Sequence, residues 1–157
     1  MKRSELNKIM KDAVEFIEKM NFKLPPFVYW SSDEWMTKGH EYDEIRDNML
    51  GWDITDFGSG DYSKIGLLMI TLRNGNFNDK KYIKTYAEKL LLVKEKQITP
   101  FHFHWSKMED IINRGGGNLI IQVYNSTEDE EMDIESSVKI MSDGCEYEVA
   151  AGSLIKL

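Results

Sequence analysis

Several residue types are scarce in this sequence, and each shortage excludes something. One cysteine, Cys145, stands among 157 residues. An internal disulfide is therefore impossible, and a reducing compartment fits. Positive charge is also short: 20 lysines and arginines face 27 aspartates and glutamates, a net charge of −7. That balance argues against a general nucleic-acid binder, which needs a basic stripe to displace counterions. Long apolar runs are missing, since Gly66-Leu67-Leu68-Met69-Ile70 falls far below a membrane span. The basic start Met1-Lys2-Arg3 has no apolar signal segment behind it. The expectation is a cytoplasmic protein that neither enters a membrane nor is secreted. There is no internal repeat or low-complexity tract. What is present, 41% apolar and 30% charged residues, describes an ordinary globular chain. A domain of this length buries roughly 68–70% of its unfolded surface, so it needs no metal merely to fold.

The N-terminal part is helical by its spacing. Leu6, Ile9, Met10, Ala13, Val14, Ile17 and Met20 form one apolar stripe, with Ser4 as the predicted N-cap and Lys23-Leu24-Pro25-Pro26 as the predicted stop. Ser32 is a second predicted cap, followed by Asp33 and Glu34. Gly39 interrupts that helix, and another helical stretch is expected near Asp43 to Leu50.

From Gly51 the pattern changes to short strands and turns. Trp52 to Phe57 and Leu67 to Leu72 read as strands, the second closed by the Asn74-Gly75 turn signal. Tyr82 to Gln97 is also read as strands. Gly115-Gly116-Gly117 predicts a turn or bulge before a β-rich run from Asn118 to Tyr124. Asp143-Gly144 predicts a hairpin joining Val138–Met141 to Glu146–Val149. The acidic run from Glu128 to Asp133 reads as a solvated hairpin tip. Helices followed by many short strands indicate a β-barrel or sandwich.

Pro100 precedes Phe101-His102-Phe103-His104-Trp105. On a strand, alternate side chains share a face, so His102 and His104 would enter one interior while the aromatic residues meet a second layer. Two imidazoles on one face suit a divalent ion at about 2.1 Å. Glu109 follows at a distance that lets the chain turn and return its carboxylate to the same ion. His40, the remaining histidine, lies in the helical part and is expected to be a surface or packing residue.

The spacing His102-x-His104-x4-Glu109-x6-Gly116 resembles the first metal motif of the cupin superfamily. The glycine that the motif carries six places before the first histidine is replaced by Lys96. Longer strings narrow the resemblance: Gly51-Trp52-Asp53-Ile54-Thr55-Asp56-Phe57-Gly58, Thr71-Leu72-Arg73-Asn74-Gly75, Tyr86-Ala87-Glu88-Lys89, and the block from Thr99 through Lys107-Met108-Glu109 to Asn118. Together they are similar to the D-lyxose isomerase family of cupin-fold sugar isomerases.

The resemblance implies an all-β cupin, a double-stranded β-helix or jelly-roll barrel with N-terminal α-helices. Residues 1–50 would be a helical segment packed on the barrel, and residues 51–157 the barrel. It implies a metal-dependent aldose–ketose isomerase that interconverts D-lyxose and D-xylulose, with D-mannose and D-fructose as a second pair. His102, His104 and Glu109 match metal ligands, and Lys107 matches a lysine between them that would face the substrate as the catalytic residue. Manganese is the expected metal, with zinc, iron or cobalt as alternatives. The expected partners are a small-molecule sugar and a second copy in a homodimer.

Cupins carry a second motif that ends in a fourth ligand, a histidine. Gly152-Ser153-Leu154-Ile155-Lys156-Leu157 reaches only its opening, so a C-terminally shortened isomerase is expected. Spacing gives no role to Asp53, Asp56 or Arg73, and Asp56 equally suits a turn cap. Two other functions use the same ligands: a non-heme iron oxygenase, whose facial triad is two histidines and a carboxylate, and a non-catalytic sugar-binding cupin.

Overall fold

Helix α1 (Arg3–Lys19) follows the apolar stripe, and Ile9, Ala13 and Ile17, four residues apart, are its buried positions. It begins ahead of the predicted Ser4 cap. Lys2 is the capping residue, and its amide donates to the Glu5 carboxylate at 2.5 Å. The helix also stops before the predicted prolines. Asn21 takes a left-handed φ of 56°, its amide donates to the Glu18 carbonyl, and the Phe22 amide donates to the Ile17 carbonyl at 3.1 Å. This is a Schellman stop, which asparagine tolerates through its short polar side chain.

The structure, a computed structural model, describes residues 1–157 in two compact units, Met1–Phe101 and His102–Leu157. In the first unit a 3-10 turn (Pro26–Tyr29) leads to α2 (Ser32–Met36) and α3 (Asp43–Asp47). The cap of α2 is Ser31 and not Ser32. Its hydroxyl accepts from the Glu34 amide at 3.2 Å while its own amide donates to the Glu34 carboxylate at 2.7 Å. The glutamate needed for this capping box stands three residues after Ser31, which decides between the two serines.

Strands β1 (Gly51–Thr55), β2 (Leu67–Arg73) and β3 (Glu88–Leu92) form an antiparallel sheet in that order. Register places Trp52 opposite Ile70 and Ile54 opposite Leu68, with Leu90 and Leu92 across from the same two residues on the other side. Because strand side chains alternate, this row shares one face. It packs with Ile9, Ala13 and Ile17 of α1 and with Leu24 and Val28 to build the core. Trp52 stays polar-satisfied there, its Nε1 donating to the Val28 carbonyl at 2.8 Å.

β2 ends at Arg73, at the Asn74-Gly75 turn signal, but β3 begins only at Glu88, so no two-residue hairpin forms there. Asn74 and Asn48 instead exchange side-chain amide to backbone carbonyl hydrogen bonds at 3.0 and 3.1 Å. A Cβ on Gly75 would overlap the Lys84 carbonyl oxygen, so close backbone approach requires this glycine. Within Tyr82–Gln97, read throughout as strands, only Glu88–Leu92 joins the sheet.

The turn after β3 returns the Gln97 amide to the Lys94 carbonyl at 3.0 Å. Lys96 sits in this turn at a φ of 60°, so the residue that replaces the motif glycine still adopts the glycine conformation. Left-handed backbone costs an L-residue roughly 1–2 kcal/mol, against about 0.5–1 kcal/mol for the extra entropy of glycine. Lys96→Gly is expected to stabilise the chain by up to about 1 kcal/mol, read as a rise of a few degrees in thermal midpoint. A fall in midpoint would contradict that accounting.

The second unit carries β4 (Ile120–Gln122), β5 (Asn125–Ser126), β6 (Met132–Asp133), β7 (Val138–Ser142), β8 (Cys145–Val149) and β9 (Leu154–Lys156). They pair antiparallel as β4–β9, β5–β6 and β7–β8. Asp143 and Gly144, at φ 51° and 79°, make the predicted hairpin turn between β7 and β8. The acidic run lies at the β5–β6 tip, as predicted. Asp133 accepts from the Ser136 hydroxyl at 2.5 Å and from the Glu135 and Ser136 amides, and the Ser136 bonds above all hold its carboxyl below the usual aspartate range. A lowered carboxyl contributes stability that is fully present above about pH 3.9 and is lost as pH falls through its folded value. Exchange of the Glu135 and Ser136 amides, corrected for intrinsic rates, is therefore expected to stay slow down to about pH 4 and to quicken below it.

Antiparallel strands thus dominate after the N-terminal helices, as one three-stranded sheet and three pairs, with no sheet closing into a barrel. No helix is long and apolar enough to cross a membrane.

Candidate metal centre

The residues from His102 to Leu119 form no strand, contrary to the strand expected at His102–His104. Pro100 has no N–H to offer a ladder, and Gly115 and Gly116, at φ 120° and 93°, bend the other end out of extended geometry. Alternation nevertheless persists in the side chains. The His102 and His104 rings meet edge to face at 5.0 Å, and Phe103 and Trp105 do the same, also at 5.0 Å. Imidazoles therefore cluster with imidazoles and aromatic rings with aromatic rings without any neighbouring strand. The expected burial of the site inside a barrel is not seen either, because all three residues of the cluster are exposed.

Glu109 closes the cluster. One potential ligand atom each from His102, His104 and Glu109 lies within 4.8 Å of the others. Bonds of about 2.1 Å place neighbouring ligands about 3–4.2 Å apart, so small side-chain rotations suffice to converge the three on one ion. The donor types, two imidazoles and a carboxylate, suit a first-row divalent metal. By geometry and chemistry the set fits such an ion.

Glu109 Oε1 lies 3.2 Å from His104 Nε2 and 2.5 Å from Lys107 Nζ. Partial burial by itself pushes the Glu109 carboxyl up. The Lys107 ammonium and, behind it, His104 outweigh burial and hold it below the ordinary glutamate range. The carboxylate is thus ionised and ready for a cation at neutral pH. Lys107, expected to face a substrate, here faces Glu109.

Asn113, to which the spacing gave no role, fastens the end of the segment. Its Nδ2 donates to the Gly117 and Leu157 carbonyls at 2.9 Å, and its Oδ1 accepts from the Gly115 amide. Only a side-chain amide, with donors and an acceptor together, can make all three bonds. His40 belongs to the surface: it is exposed and lies 3.2 Å from Asp43, outside any metal-type cluster. Asp56 caps a turn by accepting from the Gly58 amide at 3.0 Å, and Arg73 pairs with Glu88 across the sheet.

A β-rich chain bearing two imidazoles and a carboxylate on one short segment defines a class: proteins with a candidate divalent-metal site. Comparison with known proteins goes further. The family model for D-lyxose isomerase matches residues 1–157. A D-lyxose/D-mannose isomerase of Serratia proteamaculans is 43% identical over 158 residues, covering all of this chain and 69% of the relative. A D-lyxose/D-mannose isomerase of Escherichia coli O157:H7 is 42% identical over the same share of both chains. The chain belongs to the D-lyxose isomerase family, among the aldose–ketose sugar isomerases.

Proposed function

We propose that this protein is a metal-dependent aldose–ketose isomerase that interconverts D-lyxose and D-xylulose, with D-mannose and D-fructose as a second pair. The observation that carries the reading is the convergence of His102, His104 and Glu109 in a chain of this family. These three residues would hold the ion, with manganese first and zinc, iron or cobalt as alternatives. When bound, a divalent ion supplies Lewis-acid polarisation and a template for two neighbouring sugar oxygens.

The reaction moves a proton between adjacent carbons while carbonyl and hydroxyl exchange places, and negative charge develops on the oxygens. Lys107 can donate its ammonium protons to such an oxygen and is the proposed catalytic residue. Glu109, held ionised by its neighbours, anchors the site, and the Lys107 ammonium lies beside it at 2.5 Å.

The finer fold assignment belongs to the same reading: residues 1–50 as a helical segment and 51–157 as a cupin barrel. So do a cytoplasmic location and a homodimer, the dimer testable by light scattering over a wide concentration range. The deciding experiment incubates the purified protein with D-lyxose in the presence of manganese. D-Xylulose formation that stops with chelator and returns with metal is the expected result. Oxygen uptake without xylulose would point to an oxygenase, and sugar binding without turnover to a binding protein; either overturns the proposal.

A further inference from the structure

The carboxylate corner that faces His104 is already engaged by another cation. Glu109 Oε1 is the oxygen nearest His104 Nε2, at 3.2 Å, and the same oxygen carries Lys107 Nζ at 2.5 Å. An ion seated between His104 and Glu109 meets the atom that Lys107 occupies. An ammonium and a divalent ion on one oxygen repel each other strongly at such range. The Lys107 side chain is about half exposed, at 46%, so its stem is free to swing away.

We infer that Lys107 competes with the divalent ion for Glu109, and that the arriving ion ejects the ammonium from the carboxylate and frees it to meet the substrate. The inference rests on the metal reading proposed above and adds an order of events to it. Metal occupancy and the position of Lys107 are coupled, so the lysine is available to a sugar oxygen only at a loaded site. The coupling is reciprocal: whatever holds Lys107 on Glu109 weakens the ion, and removing the lysine strengthens it.

The test is manganese titration by calorimetry of the wild type, Lys107→Met and Lys107→Arg. Methionine keeps an unbranched side chain one atom shorter and loses the charge, so Lys107→Met is expected to bind manganese about fivefold more tightly, the scale of releasing one part-exposed ion pair. Lys107→Arg retains the competing charge and is expected to stay within about twofold of wild type. Unchanged or weaker binding by Lys107→Met, with manganese still bound by the wild type, overturns this inference alone. Failure of every form to bind manganese overturns the metal reading with it.

A second measurement uses the wild type only and needs no substituted chain to fold. Reductive methylation of Lys107, followed by mass spectrometry against the exposed Lys139, is expected to rise when manganese is added. Constant labelling of Lys107 across a titration that does load the metal would overturn the ejection.

Discussion

Replacing His104 by alanine is expected to lower manganese affinity at least tenfold and to remove the proposed D-lyxose isomerisation at ordinary metal concentrations. His104 Nε2 is the imidazole atom nearest the carboxylate, 3.2 Å from Glu109 Oε1. Losing it leaves one imidazole and one carboxylate, a pair that holds first-row metals poorly on a solvent-exposed segment. The substitution also takes away one of the groups that keep Glu109 ionised, although the Lys107 ammonium remains. Calorimetry and chelator-controlled activity assays measure both effects, with circular dichroism to verify folding. Wild-type metal affinity in a folded His104→Ala protein would remove His104 from the proposed ligand set. His102→Ala is expected to behave alike, because its ring packs against that of His104 at 5.0 Å.

The largest expected effect on stability lies elsewhere, in the middle of β2. Ile70 is fully buried and Leu68 only 1% exposed, and both face the α1 residues Ile9, Ala13 and Ile17 in one cluster. Ile70→Ala removes three buried carbons and leaves a cavity that the sheet can close only in part. The expected cost is about 2–5 kcal/mol. For a unit of this size that lowers the thermal midpoint by roughly 10 °C or more. Leu91, on the opposite face of β3 and 52% exposed, is the internal control; Leu91→Ala is expected to change stability by about 0.5 kcal/mol or less. Equal effects of the two substitutions would mean that the core does not lie between α1 and the sheet.

Local rules made much of this protein legible. The α1 stripe, the β1 and β2 runs and the Asp143-Gly144 hairpin each depend on near neighbours in sequence: a 3.6-residue period, a two-residue period and a left-handed turn pair. The grouping of His102, His104 and Glu109 was equally visible as a candidate, because at most six intervening positions separate its members. Helix boundaries were less legible. Ser4 and Ser32 have the right chemistry, but Lys2 and Ser31 have a glutamate at the right offset to complete the cap. Asn21 stops α1 because a left-handed asparagine can close its last carbonyls before any proline is reached.

What sequence by itself determined, then, is the set of short-range periodicities, the residue types able to ligate a cation, and the strings shared with one family of sugar isomerases. Tertiary structure alone decided three other things. Asn74-Gly75 is spent on contact with Asn48 and Lys84 instead of a hairpin, since its partners lie far along the chain. His102–His104 cluster without a ladder, because strand formation needs a neighbouring backbone that no local pattern supplies. Asn113 ties the end of the metal segment to the Leu157 carbonyl, since a partner 44 residues away is brought near only by the folded path of the chain.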